Sequence, residues 1–294
     1  MGAMRPQDFA WRPEALGRTT ATGSVRIQWL GTAGFAIEHA GHTLLIDPYV
    51  TRASITRCLV APLQPDRDAI RRCVPRADAI VVGHTHFDHV LDVPRIALMT
   101  GAHVYGSRSA AALCRAQGVA EARVECIEHD AGGAPVEREV GPFALRFIPS
   151  AHSPLLLGRV PFPGEIADCS DVPLRTEEYR CGAVFGVEIR VAGRTLYHLG
   201  SAELIDANVR MKNVDLLLMC VAGWTASHDF PERVGHVLAP GAVLFSHWDD
   251  FTRSIEKPAR LLPAMQMPQL LDRLTCASGA AKLGMVPIFG EVWL

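Results

Sequence analysis

The segment Val81-Val82-Gly83-His84-Thr85-His86-Phe87-Asp88-His89 places three imidazoles and a carboxylate within six residues, directly after a run of β-formers. Ala79 to Gly83 reads as a buried strand, with Ala and Val between polar flanks. In extended chain, residues two apart point the same way, so His84 and His86 face one side. Asp88, His89 and Asp92 cannot continue a buried strand, so the chain turns there. The turn brings Asp88 and His89 beside the first pair. One loop can thereby feed two neighbouring cation sites. Imidazole nitrogen with carboxylate oxygen suits zinc first, then iron or manganese.

Four further stretches match the same chemistry. Phe147-Ile148-Pro149-Ser150-Ala151-His152 and Val243-Leu244-Phe245-Ser246-His247 are strands that each end in a His. Leu196-Tyr197-His198-Leu199-Gly200 is a strand followed by Ser201, and Leu44-Leu45-Ile46-Asp47-Pro48 ends in a carboxylate. With the His-x-His-x-Asp-His motif and the opening Ile27-Gln28-Trp29-Leu30-Gly31-Thr32-Ala33-Gly34-Phe35, they resemble the metallo-β-lactamase-fold hydrolases. The resemblance is to the branch that includes ascorbate-6-phosphate lactonases and N-acyl phosphatidylethanolamine phospholipases D, and it runs from about Val25 to the end of the chain.

That resemblance implies a four-layer αββα sandwich with the site at the edge where loops of both halves meet. It implies one metal on His84, His86 and His152 and another on Asp88, His89 and His247. Water shared between the cations would attack an ester, lactone or phosphodiester of a small molecule, with Asp88 also orienting the nucleophile or moving its proton. Asp47 matches a residue that lies under the site and holds a ligand His; an ordinary turn before Pro48 is the alternative. At the position where the family has a bridging Asp stands Ser201. Three readings follow: a dinuclear site without its bridge, a mononuclear site, or a non-catalytic binding protein. Glu203, two residues on, is a substitute bridge. An iron-dependent oxygen- or sulfur-handling enzyme is a further alternative on the same fold.

Position in the chain points to further candidates. His228, in a loop after a strand, is a candidate substrate contact. Trp248 and Phe251 are candidate pocket walls, and Asp249 a partner for His247. Tyr179 and Arg180 are candidates to meet a substrate anion. From Ser153 to Cys181 no period persists, and the segment contains Pro154, Pro161, Pro163 and Pro173 and the acidic Glu165, Asp168 and Asp171. Placed after His152, it is expected to cover the site.

Around these residues the chain alternates strands and helices, which argues for an α/β layer fold. Strands are expected at Val25–Leu30, Gly34–His39, Thr43–Ile46, His103–Tyr105, Arg123–Ile127, Phe143–Ile148, Ala183–Val191, Thr195–Leu199, Val214–Cys220, Ala242–Phe245 and Val286–Trp293. Helices are expected at Asp66–Cys73, Val93–Thr100, Ser107–Gln117, Pro231–Leu238 and Pro268–Thr275. Thr51 to Pro65 and Asp130 to Pro142 read as loops. Residues 24–294 form one domain, preceded by a surface arm over 1–23 that Trp11 docks; Met1 to Met4 have the look of a cloning remnant.

The chain has 294 residues, 49% of them hydrophobic, enough for a large core. A net charge of −2 without a basic stripe argues against nucleic acid. Eight scattered cysteines and no C-x-x-C fit reduced thiols in a cytoplasmic protein. No apolar leader and no membrane-length run is present. Oligomeric state is not legible.

Overall fold

The computed structural model describes residues 25–128, 133–155, 158–166, 169, 172–263, 265–279 and 281–294. The N-terminal arm with Trp11, His129, Asp168 and Asp171 lie outside them. The strands are β1 (Arg26–Gly31), β2 (Gly34–His39), β3 (His42–Ile46), β4 (Ala79–Val81), β5 (His103–Gly106), β6 (Val124–Cys126), β7 (Val136–Val140), β8 (Phe143–Pro149), β9 (Phe185–Val191), β10 (Arg194–Leu199), β11 (Leu216–Cys220), β12 (Ala242–Ser246), β13 (Lys282–Gly284) and β14 (Glu291–Trp293). The α-helices are α1 (Ile55–Val60), α2 (Arg67–Cys73), α3 (Phe87–Val90), α4 (Val93–Thr100), α5 (Arg108–Ala116), α6 (Phe230–Leu238) and α7 (Met267–Ser278).

Two seven-stranded sheets follow one plan. The first runs β14-β1-β2-β3-β4-β5-β6 and the second β13-β12-β11-β10-β9-β8-β7. In each, an antiparallel meander gives way to parallel strands: β3, β4, β5 and β6 in one, β10, β11, β12 and β13 in the other. Strand alternation then sorts the core. Leu44, Ile46, Ala79 and Val81 pack with the second sheet, whereas Leu45, Ile80 and Val82 pack under the helices of the first half. Phe230, Val234, Leu238, Leu270 and Leu274 of α6 and α7 cover the other sheet. This is the expected αββα sandwich, and the continuous apolar sequence of β11 suits a strand covered on both faces.

Local signals hold where the chemistry is simple. The Asp66 carboxylate accepts the backbone N–H groups of Asp68 and Ala69 and caps α2; Ser107 caps α5 through Ala110. Three expectations are corrected. Residues 51–65 contain α1, capped by Ser54. Residues 130–142 contain β7, an edge strand paired to β8. Of the closing strand expected over 286–293 only β14 forms, and it returns to β1; β13 precedes that range and pairs with β12 in the other sheet. Pro287 and Phe289, the latter at φ 64°, stand where one strand would have to continue.

The halves are joined by a buried ion pair. Arg52 Nη1 lies 2.6 Å from Asp249 Oδ2, with both side chains 1% exposed. Asp249 Oδ1 also accepts the Thr32 N–H at 3.0 Å. Removing one partner leaves a buried charge alone, which costs about 3–5 kcal/mol. Asp249→Ala is therefore expected to lower stability by that amount in urea unfolding; a loss below about 1 kcal/mol would show that water or another group replaces the carboxylate.

Candidate metal centre

The floor of the site is built from strand ends. Beyond β4 the chain stays extended through His84 and His86, then makes the single helical turn α3 that carries Asp88 and His89. His152 follows β8 and His247 follows β12. Ring centroids of His84, His86 and His152 lie 4.7–4.8 Å apart pairwise. The His84 and His89 rings are 3.8 Å apart, and His89 and His247 5.5 Å.

Two trios have ligand atoms within 4.8 Å of one another and could each hold a metal ion: His84, His86 and His152, and Asp88, His89 and His247. A third, overlapping trio is Asp47, His84 and His89. The six residues of the first two trios are those expected from sequence.

The neighbours of each ring decide which nitrogen faces the cluster. His89 Nδ1 donates to Asp47 Oδ2 at 2.9 Å, leaving Nε2 available. His152 Nδ1 donates to the Ser153 carbonyl at 2.8 Å, also leaving Nε2. His86 Nε2 donates to the Pro161 carbonyl at 2.8 Å, leaving Nδ1. His84 is buried, and neither of its nitrogens has a hydrogen-bond partner among the described residues. His247 Nδ1 is buried and unpartnered likewise, while its Nε2 sits 3.1 Å from Asp88 Oδ2. Buried polar nitrogens are normally satisfied. Two orphaned nitrogens on one imidazole, facing two other imidazoles, fit a cation as their missing partner.

The electrostatics agree. Burial, then the neighbouring rings, hold His84 well below the usual imidazole range. Burial lowers His86 as well. Burial, with His86 beside it, brings His152 down to about 3. All three are neutral donors at neutral pH. Burial opposes ionisation of Asp88, but the His247 hydrogen bond and the charges of His89 and His247 outweigh it and hold the carboxyl below its usual range. Burial lowers His89, but Asp47 outweighs it and the net shift is upward.

Above this floor opens a cavity of about 450 Å³ lined by His86, Asp88, His89, His152, His247, Ser201 and mostly apolar side chains. Leu155, Pro161 and Phe162 line it, so the first part of the segment after His152 borders the site, whereas Ile166, Leu174 and Tyr179 pack into the helix-side core. Asp47 lies beneath His89 and also accepts the Gly83 N–H at 2.7 Å.

Other expectations are corrected. Trp248 is buried and stacks on Trp29 at 4.9 Å, outside the cavity. Tyr179 is buried in the core under the helices, and Arg180 does not line the cavity. The side chain of His228 is 90% exposed and pairs with Asp229; its neighbours Trp224 and Thr225 line the cavity instead. Asp249 holds Arg52 and Thr32, and His247 is positioned by its own N–H donating to the Thr32 carbonyl at 2.6 Å. Glu203 is bound to Arg233 at 2.7 Å and is no substitute bridge. Ser201 lines the cavity, and its Oγ accepts the Ser153 N–H at 3.0 Å. Leu262, Pro263 and Met265, also lining, were missed because no period or motif marks them.

A profile of the beta-lactamase superfamily domain matches residues 42–247. The chain belongs to that superfamily. A metal-dependent hydrolase of Anaeromyxobacter sp. (strain K) is 26% identical over 254 residues, covering 84% of this chain and 82% of its own. One from Ruegeria sp. (strain TM1040) is 28% identical over 181 residues, covering 62% and 65%. Among solved structures, Igni18, a metallo hydrolase from the archaeon Ignicoccus hospitalis, matches with a TM-score of 0.56 at 17% identity over 92% of this chain and 98% of that one. CmlA, a diiron β-hydroxylase from Streptomyces venezuelae, matches with a TM-score of 0.58 at 14% identity over 94% of this chain and 55% of that one. The structural likeness is one of fold; the relatives closest in sequence among these carry the names of metal-dependent hydrolases.

The depressed imidazoles have a consequence for the metal-free protein. His84, His86 and His152 are neutral when folded, so the unfolded chain binds the extra protons once the pH drops below ~6.5. Their contribution is present above that pH and is lost as pH falls from there towards about 3. His89, with a raised pKa, has the opposite sign: its contribution is present at low pH and lost as pH rises through the folded value. Three rings outweigh one. In chelator, the melting temperature is expected to fall by several degrees between pH 7 and pH 5. An unchanged value would show that the rings are already protonated when folded.

Proposed function

We propose that this protein is a metal-dependent hydrolase acting on an ester, lactone or phosphodiester bond of a small molecule. The observation that carries the reading is the pair of trios beneath one cavity, with the buried His84 of the first trio left without hydrogen-bond partners. His84, His86 and His152 would hold one ion, and Asp88, His89 and His247 a second. The donor set suits zinc, with manganese or iron as alternatives. Such ions, when bound, lower the pKa of a water towards ~7 and act as Lewis acids on the oxygen of the scissile bond.

The chain's own residues supply the rest. Asp88 stays ionised at the cavity floor, so it can orient a water or accept its proton. Asp47 and the carbonyls of Pro161 and Ser153 fix three ring orientations before substrate arrives. Leu155 and Phe162 narrow the mouth over the floor. Both halves contribute ligands, so we read residues 24–294 as one catalytic unit. Cys58, Cys73, Cys114, Cys126, Cys181, Cys220 and Cys276 are unbridged, which supports a reducing, cytoplasmic setting; no described helix is long and apolar enough to cross a membrane.

The test is metal content by mass spectrometry with activity on generic ester and phosphodiester substrates. One or two bound ions and turnover that chelator abolishes are expected. His152→Ala should lower metal content and His228→Ala should not; the reverse would contradict the ligand assignment.

Ser201 sets a second test. Without a bridging charge, the ion on Asp88, His89 and His247 is expected to bind more weakly than the other. Ser201→Asp should raise occupancy of that site at least tenfold in a chelator titration, ~1.4 kcal/mol. Equal, tight occupancy of both sites in the natural protein would overturn this.

A further inference from the structure

We infer that the cavity takes the apolar acyl group of an uncharged carboxylic ester or lactone, and not a phosphorylated substrate. This deepens the hydrolase reading and rests on it. Among the described residues that line the cavity there is no lysine or arginine. A phosphate ester keeps at least one negative charge at neutral pH, and beyond any metal ion its recognition ordinarily uses arginine, lysine or a helix N-terminus.

The walls say what is welcome instead. Phe162, Leu155, Trp224, Phe251, Leu262 and Met265 converge on the floor from four separate stretches of chain. Phe162 stands edge-on to His86, with centroids 6.4 Å apart, and Phe251 edge-on to His247 at 5.3 Å. Apolar side chains thus touch both metal-facing trios. At the rim, Leu155 is 42% and Phe162 38% exposed, whereas apolar groups of this size elsewhere in the chain are mostly buried. These two residues sit over an opening and have apolar surface still to cover. The cavity volume of 450 Å³ lies within the ~300–1,000 Å³ of small-molecule sites. The order of parts is polar floor, apolar shaft, apolar rim. A carbonyl at the floor with an alkyl or aryl tail towards the rim satisfies each part. Water would add across the acyl C–O bond, giving a carboxylate, a proton and an alcohol, or the hydroxy acid from a lactone.

Binding is measured by calorimetry on the metal-free protein, which lacks the ions needed for turnover, with butanamide, octanamide and octyl phosphate. Octanamide should bind at least tenfold more tightly than butanamide and more tightly than octyl phosphate. In the double variant Leu155→Ala/Phe162→Ala the preference for the longer amide should drop to under threefold. On the zinc-loaded protein, kcat/KM for p-nitrophenyl octanoate should exceed that for the butyrate at least tenfold, and both should exceed bis(p-nitrophenyl) phosphate. Equal affinity for the two amides, or tighter binding of octyl phosphate, overturns the inference. If octanamide is preferred but the loaded protein cleaves no ester, the ligand class is supported and the hydrolase reading fails. If esters are cleaved with no dependence on chain length, the hydrolase reading stands and this inference fails.

Discussion

One buried carboxylate carries the arrangement. Asp47 is fully buried, and its backbone is held left-handed at φ 44°. A charge at that depth is tolerated only when donors surround it. Asp47 obtains them from the Gly83 N–H and from His89 Nδ1. Both donors belong to the ligand loop, so the requirement that buries Asp47 also fixes where that loop begins and how one of its rings is turned. The carboxylate needs space as well. A Cβ on Gly83 would meet Asp47 Oδ2 at 2.9 Å, and one on Gly200, from the other half of the chain, would meet it at 3.0 Å. Glycine at these two positions lets the two halves close over a single oxygen atom.

The second half is brought into place by a similar device one layer away. Gly31 and Thr32 form the turn between β1 and β2, at φ 93° and 51°. The Thr32 carbonyl receives the His247 N–H and the Trp29 indole N–H, while the Thr32 N–H is held by Asp249. His247 itself sits at φ 56° and Arg52 at φ 51°. Non-glycine residues in this region cost of order 1–3 kcal/mol each when strained, and persist where surrounding contacts over-determine them. Here the contacts are the Arg52–Asp249 pair and the Trp29–Trp248 stack. Trp248 and Asp249, adjacent to His247 in sequence, hold its loop from behind.

That distinction explains what the sequence could and could not show. The ligands were legible because strand ends and His spacing are local facts: His84, His86, His152 and His247 lie just past strand ends, and Asp88 and His89 on the single turn α3 that follows β4. The layer order was legible because β3 and β4 alternate cleanly between two cores. The misassigned residues were judged by position in the chain, which says nothing about direction. Trp248 turns inward onto Trp29, Tyr179 enters the helix-side core, and His228 faces solvent. Glu203 was drawn off by Arg233, thirty positions away in the chain. The edge strand β7 was hidden by Pro135 and Pro142 at its flanks, and α1 by its exposed Ile55, Leu59 and Val60, which give it no buried stripe. Residues 286–293 read as one strand, but only 291–293 form β14; that β13, just before them, joins the other sheet is a property of the whole topology.

The two trios differ in charge, and the difference bears on how many ions the site can hold. His84, His86 and His152 form a neutral set, since burial disfavours protonation of all three. The other trio carries the charge of Asp88 and, behind His89, that of Asp47. Asp47 therefore makes up part of what Ser201 lacks, through a ring and not by direct contact. Magnitudes decide how large a part. Two dications ~4 Å apart at an effective dielectric of ~20 repel by ~17 kcal/mol, whereas one carboxylate ~6 Å from a dication attracts it by ~6 kcal/mol. A bridging carboxylate would act on both ions at contact distance; Asp47, one imidazole removed, acts mainly on one. The orphaned His84 belongs to the neutral trio, and a second ion placed beside a first would depend on hydroxide or substrate oxygen for the charge that Ser201 does not provide.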